Sequence, residues 1–142
     1  KIYTHVKLIT EFYKKNFKKN PKIAITGLNP HCESNFKDCE EDAMIAPAIR
    51  TLKAKNFKVE GPFPADTIFM QEHIKKFDII IGMYHDQVLG PMKAMFGFDA
   101  INITLGLPFI RISPDHGPNS SMLGKNISNP KSLIEALKFL DK

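Results

Sequence analysis

Three short stretches of this 142-residue chain concentrate the side chains able to do chemistry near neutral pH. They are Gly27-Leu28-Asn29-Pro30-His31, Met83-Tyr84-His85-Asp86-Gln87 and Arg111-Ile112-Ser113-Pro114-Asp115-His116-Gly117. Each follows an apolar run that reads as a strand, and each places a histidine within a few residues of the strand's end. Imidazole is the commonest ligand of divalent metals at neutral pH, and two such loops can converge on one ion. His31 and His85 are therefore the metal-ligand candidates. Taken singly, each histidine reads more often as a structural or surface residue; their recurrence at strand exits brings the chemical reading level with that one.

Further polar residues gather around the same stretches. Asp86, beside His85, is the candidate catalytic carboxylate: it could orient the imidazole, ligate the metal or act as a general base. It could equally cap the helix that follows. Lys93 lies seven residues on, about two helical turns, and can share that helix face. A cation there suits a phosphate or carboxylate substrate. Arg111 is one of two arginines, and its planar guanidinium suits bidentate recognition of the same anions. Asn102 lies inside the apolar run 100–105, where an unpaired amide would be costly, so it bonds a backbone group or faces a ligand. His116, Gly117 and Gly124 flank a polar loop that could approach a nucleotide closely. No GxGxxG fingerprint and no Walker A sequence is present, which disfavours a standard Rossmann or P-loop site. Cys32 and Cys39 do not form a CxxC pair, and His5 and His73 read as ordinary helix residues.

The elements that must position these residues alternate. Ile2, Val6, Ile9, Tyr13 and Phe17 mark one face of a helix that Asn20-Pro21 stops. A buried strand follows at 22–26. Residues 40–55 read as a helix opened by Glu40, Glu41 and Asp42 and kinked at Pro47. A short strand at 57–60 leads into a Gly-Pro-Phe-Pro turn, a helix at 66–76 and a buried strand at 77–82. A helix at 86–96 is interrupted by Gly90-Pro91, and apolar strands follow at 100–105 and 109–112. After a long loop, Asn129 caps and Pro130 opens the last helix, whose expected buried stripe is Leu133, Leu137 and Leu140. Such alternation predicts one α/β unit over 1–142 with a largely parallel sheet, and ligands in such folds sit beyond the carboxyl ends of strands.

Composition bounds the function. With 43% apolar and 25% charged residues the chain is an ordinary globular sequence rather than a disordered one, and no apolar run reaches membrane-span length. The net charge is +5, but the lysines cluster at predicted helix ends and turns, which fits a solvated surface or a small anionic substrate better than nucleic acid. Two cysteines are too few for a disulfide framework, so the expectation is reduced thiols in a cytoplasmic protein, with neither a nucleic-acid nor a membrane partner. The chain does not begin with Met, which hints at a fragment.

Five stretches occur in an order that resembles a known family: Gly27 to His31, Gly61-Pro62-Phe63-Pro64-Ala65-Asp66-Thr67, Tyr84 to Gln87, Asn102-Ile103-Thr104-Leu105-Gly106-Leu107-Pro108, and Asp115-His116-Gly117. Together they look like the C-terminal portion of the 4-hydroxythreonine-4-phosphate dehydrogenases of pyridoxal phosphate (vitamin B6) synthesis. The resemblance runs from about residue 21 to 142. It implies oxidation of the secondary alcohol of a phosphorylated hydroxy amino acid by NAD or NADP. The resulting β-keto acid then loses CO₂ to give 3-amino-2-oxopropyl phosphate, with a divalent metal (zinc, magnesium or cobalt) polarising the reacting oxygen. It maps two metal histidines onto His31 and His85 and substrate contacts onto Lys93, Asn102 and Arg111. It implies a fold like isocitrate and isopropylmalate dehydrogenases, and a homodimer with a shared site. It also likens His116, Gly117 and Asn126 to the loop that holds the cofactor's adenosine in those relatives. Val88 stands where the family usually has Gly, and Pro118-Asn119 where it usually has Thr-Ala. The chain alone is expected to be inactive, since half the site would be missing. The rivals are a sister dehydrogenase for another phosphorylated hydroxy acid and a non-catalytic anion-binding α/β module.

Overall fold

The structure, a computed structural model, describes residues 1–32, 39–118 and 120–141. Its elements are α1 (Ile2–Phe17), β1 (Ile23–Thr26), α2 (Ala46–Ala54), β2 (Val59–Phe63), α3 (Gln71–Ile74), β3 (Ile79–Ile81), α4 (His85–Phe96), β4 (Ile101–Thr104), β5 (Arg111–Pro114) and α5 (Lys131–Leu140). The chain gathers into two compact units, Lys1–Leu89 and Gly90–Lys142, where the sequence reads as one. The boundary falls inside α4, at the Gly90-Pro91 pair expected to interrupt that helix, yet the helix continues through Pro91.

The first unit holds a three-stranded parallel sheet in the order β2-β1-β3. β1 is central because all four of its residues are apolar or small enough to be buried on both faces, the pattern of an interior parallel strand. Ile23 and Ile25 from β1 and Val59 from β2 form the core with Val6 of α1, Ile49 and Leu52 of α2, and Ile45 just before it. Ile2 and Ile9 pack against this core, as their spacing predicts, whereas Phe17 is exposed and stacks on Tyr13.

Three expectations change here. Residues Glu41–Ile45 form a π-helical turn, and α2 begins at Ala46. That turn runs without a break into α2, so the helix expected over 40–55 is present, and Pro47 stands inside it where the π-helical part gives way to the α-helical part. The helix expected at 66–76 shrinks to Gln71–Ile74; turn residues precede it, with the Thr67 carbonyl engaged by His73 Nδ1. β2 runs through Gly61-Pro62, read from sequence as a turn. Gly61 has φ +136°, and a Cβ there would meet the Ile25 carbonyl oxygen at 2.3 Å, so only glycine allows β1 and β2 to approach at this point.

The second unit holds β4 and β5 paired antiparallel, with α5 packed on both strands. The sheet of the first unit is parallel as expected; this one is not, because six residues join β4 to β5, too few for a parallel crossover. Asn129 Oδ1 accepts the Lys131 N–H, so it caps α5 with Pro130, not Asn129, at the boundary position. The expected buried stripe is overturned: Leu133, Leu137 and Leu140 are exposed, and α5 buries the small residues Ser132 and Ala136. Ser132 Oγ donates to the Ala100 carbonyl at 2.6 Å and accepts the Asp115 N–H at 3.0 Å. Helix and sheet meet there through compact, satisfied groups.

Candidate functional site

In the first unit β1 and β3 run parallel and in register, Ile23 opposite Ile79 and Ile25 opposite Ile81. The loops that follow, one carrying His31 and the other leading into His85 at the start of α4, therefore leave the sheet at the same carboxyl edge. The tie between the two loops is Gln87, which sequence analysis treated only as a neighbour of His85. Its amide is buried, with 5% of the residue exposed. Thr26 Oγ1 and the Met83 N–H both donate to Gln87 Oε1 at 2.8 Å, and Gln87 Nε2 donates to the Gly27 carbonyl at 2.8 Å.

The first loop is held from a second side. Glu41, 2% exposed, accepts the Asn29 N–H on Oε1 at 2.6 Å, and Asn29 Oδ1 in turn accepts the His31 N–H at 2.9 Å. Glu41 Oε2 has no partner among the described residues. Glu41 thus does more than favour a helix N-terminus, the role its place in an acidic trio suggests. Cys32 takes a left-handed conformation (φ 52°), its N–H donating to the Asn29 carbonyl. Burial pushes the Cys32 thiol up from its ordinary pKa; a Gly27 backbone hydrogen bond opposes this, and the nearby Glu41 and Asp66 charges add to it. That disfavours the thiolate, the form that binds metal.

His31 is exposed in its loop. His85 opens α4, also exposed, and its Nδ1 lies 2.8 Å from Asp86 Oδ1. The carboxylate therefore stands where it can fix the ring's tautomer and leave Nε2 to ligate. Among the described residues no three His, Cys, Asp or Glu side chains gather into a ready-made metal cage. The donor set nevertheless fits a divalent cation: two exposed imidazoles at one sheet edge, one with a carboxylate behind it. Imidazole nitrogen suits zinc or cobalt better than magnesium, which prefers oxygen.

The second unit places the anion-binding candidates. Lys93 Nζ pairs with Asp115 Oδ2 at 3.0 Å. Arg111 is a correction: it opens β5, where the sequence suggests a strand exit. It faces Thr104 at the end of β4, and its Nη1 donates to Thr104 Oγ1 at 2.8 Å. Asn102 pairs with Ser113 two residues along, so strand alternation puts Asn102 and Arg111 on the same face of the ribbon. Asn102 is exposed, and the desolvation cost expected of an amide in an apolar run does not arise.

His116 and Gly117 follow β5 in an exposed loop, the His116 Nδ1 lying 3.0 Å from the Gly117 carbonyl. Asn126 (φ 53°) and Gly124 (φ +74°) take left-handed backbone beside an open pocket of about 450 Å³ lined by Met122, Leu123, Gly124, Asn126 and Ser128. His116 and Gly117 do not line it. Asn119, where the family resemblance departs, lies outside the described residues.

The family model described as pyridoxal phosphate biosynthetic protein PdxA matches residues 1–140. A 4-hydroxythreonine-4-phosphate dehydrogenase of Sulfurihydrogenibium sp. (strain YO3AOP1) is 47% identical over 141 residues, which cover 98% of this chain and 43% of that protein. A D-threonate 4-phosphate dehydrogenase of Cupriavidus necator is 46% identical over 121 residues, 83% of this chain and 36% of that one. The crystal structure of 4-hydroxythreonine-4-phosphate dehydrogenase from Klebsiella pneumoniae superposes with a TM-score of 0.79 at 38% identity, over 96% of this chain and 42% of that chain. The chain thus spans roughly two fifths of the length of such relatives. With a family model matched over nearly every residue, the chain belongs to the PdxA family of pyridoxal phosphate biosynthetic proteins.

Proposed function

We propose that the chain is the part of an NAD(P)-dependent 4-hydroxythreonine-4-phosphate dehydrogenase that supplies two metal-binding imidazoles and the polar contacts to substrate. The observation that carries this reading is the pair of histidine loops at the carboxyl edge of adjacent parallel strands, tied by Gln87. In the proposed reaction the secondary alcohol of 4-phosphooxy-L-threonine yields a hydride to NAD or NADP and a proton to a base. The β-keto acid then releases CO₂, leaving 3-amino-2-oxopropyl phosphate. A bound divalent cation supplies a Lewis acid for the reacting oxygen. His31 and His85 hold that cation through ring nitrogens. Asp86 fixes the His85 ring and is the carboxylate proposed to handle a proton there. Lys93, Asn102 and Arg111 offer donors to the substrate's phosphate or carboxylate, the last two from one ribbon face. His116, Gly117 and Asn126 are the proposed cofactor contacts. The complete protein is proposed to be a cytoplasmic homodimer with the isocitrate/isopropylmalate dehydrogenase-like fold and a site shared between subunits. Among the described residues no helix is long and apolar enough to cross a membrane.

The similarity to a D-threonate 4-phosphate dehydrogenase favours a second reading, in which the same machinery acts on that sister substrate. One experiment tests both. The complete protein is assayed for NAD or NADP reduction with each phosphorylated acid, and its bound metal is measured with and without the His31→Ala, His85→Ala pair. The expected result is turnover of one substrate and loss of metal in the double variant. Metal unchanged by the substitutions, or absent from both proteins, overturns the metal site. Turnover of neither substrate overturns the dehydrogenase reading.

A further inference from the structure

The Gln87 amide touches no candidate ligand, yet it bonds both loops that carry one. Its orientation is fixed by chemistry. Oε1 receives an amide N–H from Met83 and a hydroxyl from Thr26, while Nε2 gives to a carbonyl at Gly27. A flipped amide would set NH₂ against N–H and oxygen against oxygen, so a single arrangement satisfies all three partners. The surroundings allow it little room. A Cβ on Gly82 would come within 2.6 Å of Val88 and 3.4 Å of the Gln87 Cβ, and one on Gly27 within 2.5 Å of Cys32 Sγ. From Gly27 the bracing continues outward, through Asn29 to the His31 N–H on one side and to the buried Glu41 carboxylate on the other. From Met83 the chain runs two residues to His85.

We propose that Gln87 is a positioning residue: its buried amide latches the His31 loop to the His85 loop and so sets the spacing of the two imidazoles. The metal-binding part of this inference rests on the proposed function; the coupling of the loops does not. Removing the latch frees each loop to move without the other, and a two-point site loses the preorganisation that makes its second ligand nearly cost-free.

The test uses the complete protein and two variants close to Gln87 in length. Gln87→Glu sets an oxygen against the Gly27 carbonyl in place of the donor, and Gln87→Met removes all three bonds without adding charge, which covers the case that the acidic variant fails to fold. Amide hydrogen exchange of the metal-free protein reports the latch. The expected result is exchange at least tenfold faster at Met83 and also at Asn29 and His31, whose amides Gln87 does not touch, with Ile23 and Ala24 unchanged. Titration with Co²⁺ reports the site: the variants are expected to bind it at least tenfold more weakly and with an altered visible spectrum. A merely structural role would lower the melting temperature and leave that spectrum alone. Exchange at 29 and 31 that stays at the wild-type rate overturns the latch. Faster exchange with unchanged Co²⁺ affinity and spectrum overturns its role in spacing the imidazoles. Faster exchange in a protein that never binds Co²⁺ upholds the latch and sinks the metal reading instead.

Discussion

Replacing Gly61 with alanine probes the contact on which the placement of β1 depends. Two costs arise together. Residue 61 sits at φ +136°, where an L side chain is strained by about 1–3 kcal/mol. The new Cβ would also lie 2.3 Å from the Ile25 carbonyl oxygen. Carbon and oxygen approach to about 3.3 Å in sheets, so β1 and β2 must part by about 1 Å locally. A ladder bond stretched by that amount leaves the hydrogen-bond range, and the Gly27 N–H to Phe63 carbonyl bond at 3.0 Å is the nearest at risk. One or two such bonds add about 0.5–1.5 kcal/mol each. The stiffer unfolded chain returns only about 0.4–1 kcal/mol. The net loss is about 0.5–5.5 kcal/mol, set against the roughly 5–15 kcal/mol that domains possess. Urea unfolding followed by circular dichroism measures it as a fall in midpoint, about 0.5 M for each kcal/mol lost at a slope of about 2 kcal/mol/M. Gly90→Ala is the control: no atom lies within 4 Å of its Cβ and it sits in α4, so a gain of roughly 0.5–1 kcal/mol is expected. A Gly61→Ala midpoint equal to that of wild type or of the control would refute the close-approach argument.

Two further perturbations address each unit in turn. Burial pushes the Asp78 carboxyl up, but its bonds from Lys19 and from the Lys22 N–H, with the charges of Lys19 and Lys58, outweigh this and hold it below the usual carboxylate range. Its stabilisation is therefore present above the unfolded pKa of about 3.9 and disappears as pH falls through the lower folded value. Asp78→Asn should flatten the acid limb of melting temperature against pH between about 5 and 2, and parallel curves would show that the carboxylate is not the group responsible. In the second unit, Ser132→Ala strips partners from the Asp115 N–H and the Ala100 carbonyl, and should cost roughly 2–4 kcal/mol in denaturant unfolding; a loss under about 1 kcal/mol would mean water replaces the hydroxyl.

Period and punctuation in the sequence were enough to place β1, α1, α4 and the exits of β1 and β3, because in each an apolar run ends abruptly at Pro, Gly or a polar cluster. Where local pattern and tertiary context compete, the reading drifts. Leu133, Leu137 and Leu140 declare an amphipathic helix, but periodicity does not say which side faces a neighbour, and α5 meets its sheet through Ser132 and Ala136. Asn102 sits in an apolar run yet is exposed, because strand alternation turns it away from Ile101 and Ile103. At the candidate site the histidines were legible as residue types, since few other side chains bind metal or titrate near pH 7. Glu41 and Gln87 were visible only as letters. Their roles depend on partners at sequence separations of 12 and of about 60, and the one local hint was that Gln87 lies within the His85 motif.

That separation also explains why a small amide, and not the sheet alone, must set the spacing of the loops. Register between β1 and β3 ends at the Ile25–Ile81 pair, whereas His31 lies six residues beyond the first and His85 four beyond the second. Over such lengths backbone pairing cannot hold two rings in register, because each unpaired residue brings two soft dihedrals. The bonds that recover the lost precision must reach across the gap from a rigid element. Gln87 does so from the first turn of α4, and Glu41 from the π-helical turn ahead of α2. Helical backbone thus anchors both braces, while one imidazole stands exposed on a braced loop and the other at the first residue of α4 itself. The sheet fixes the edge of the molecule at which the histidines emerge; these buried side chains fix how far apart they stand.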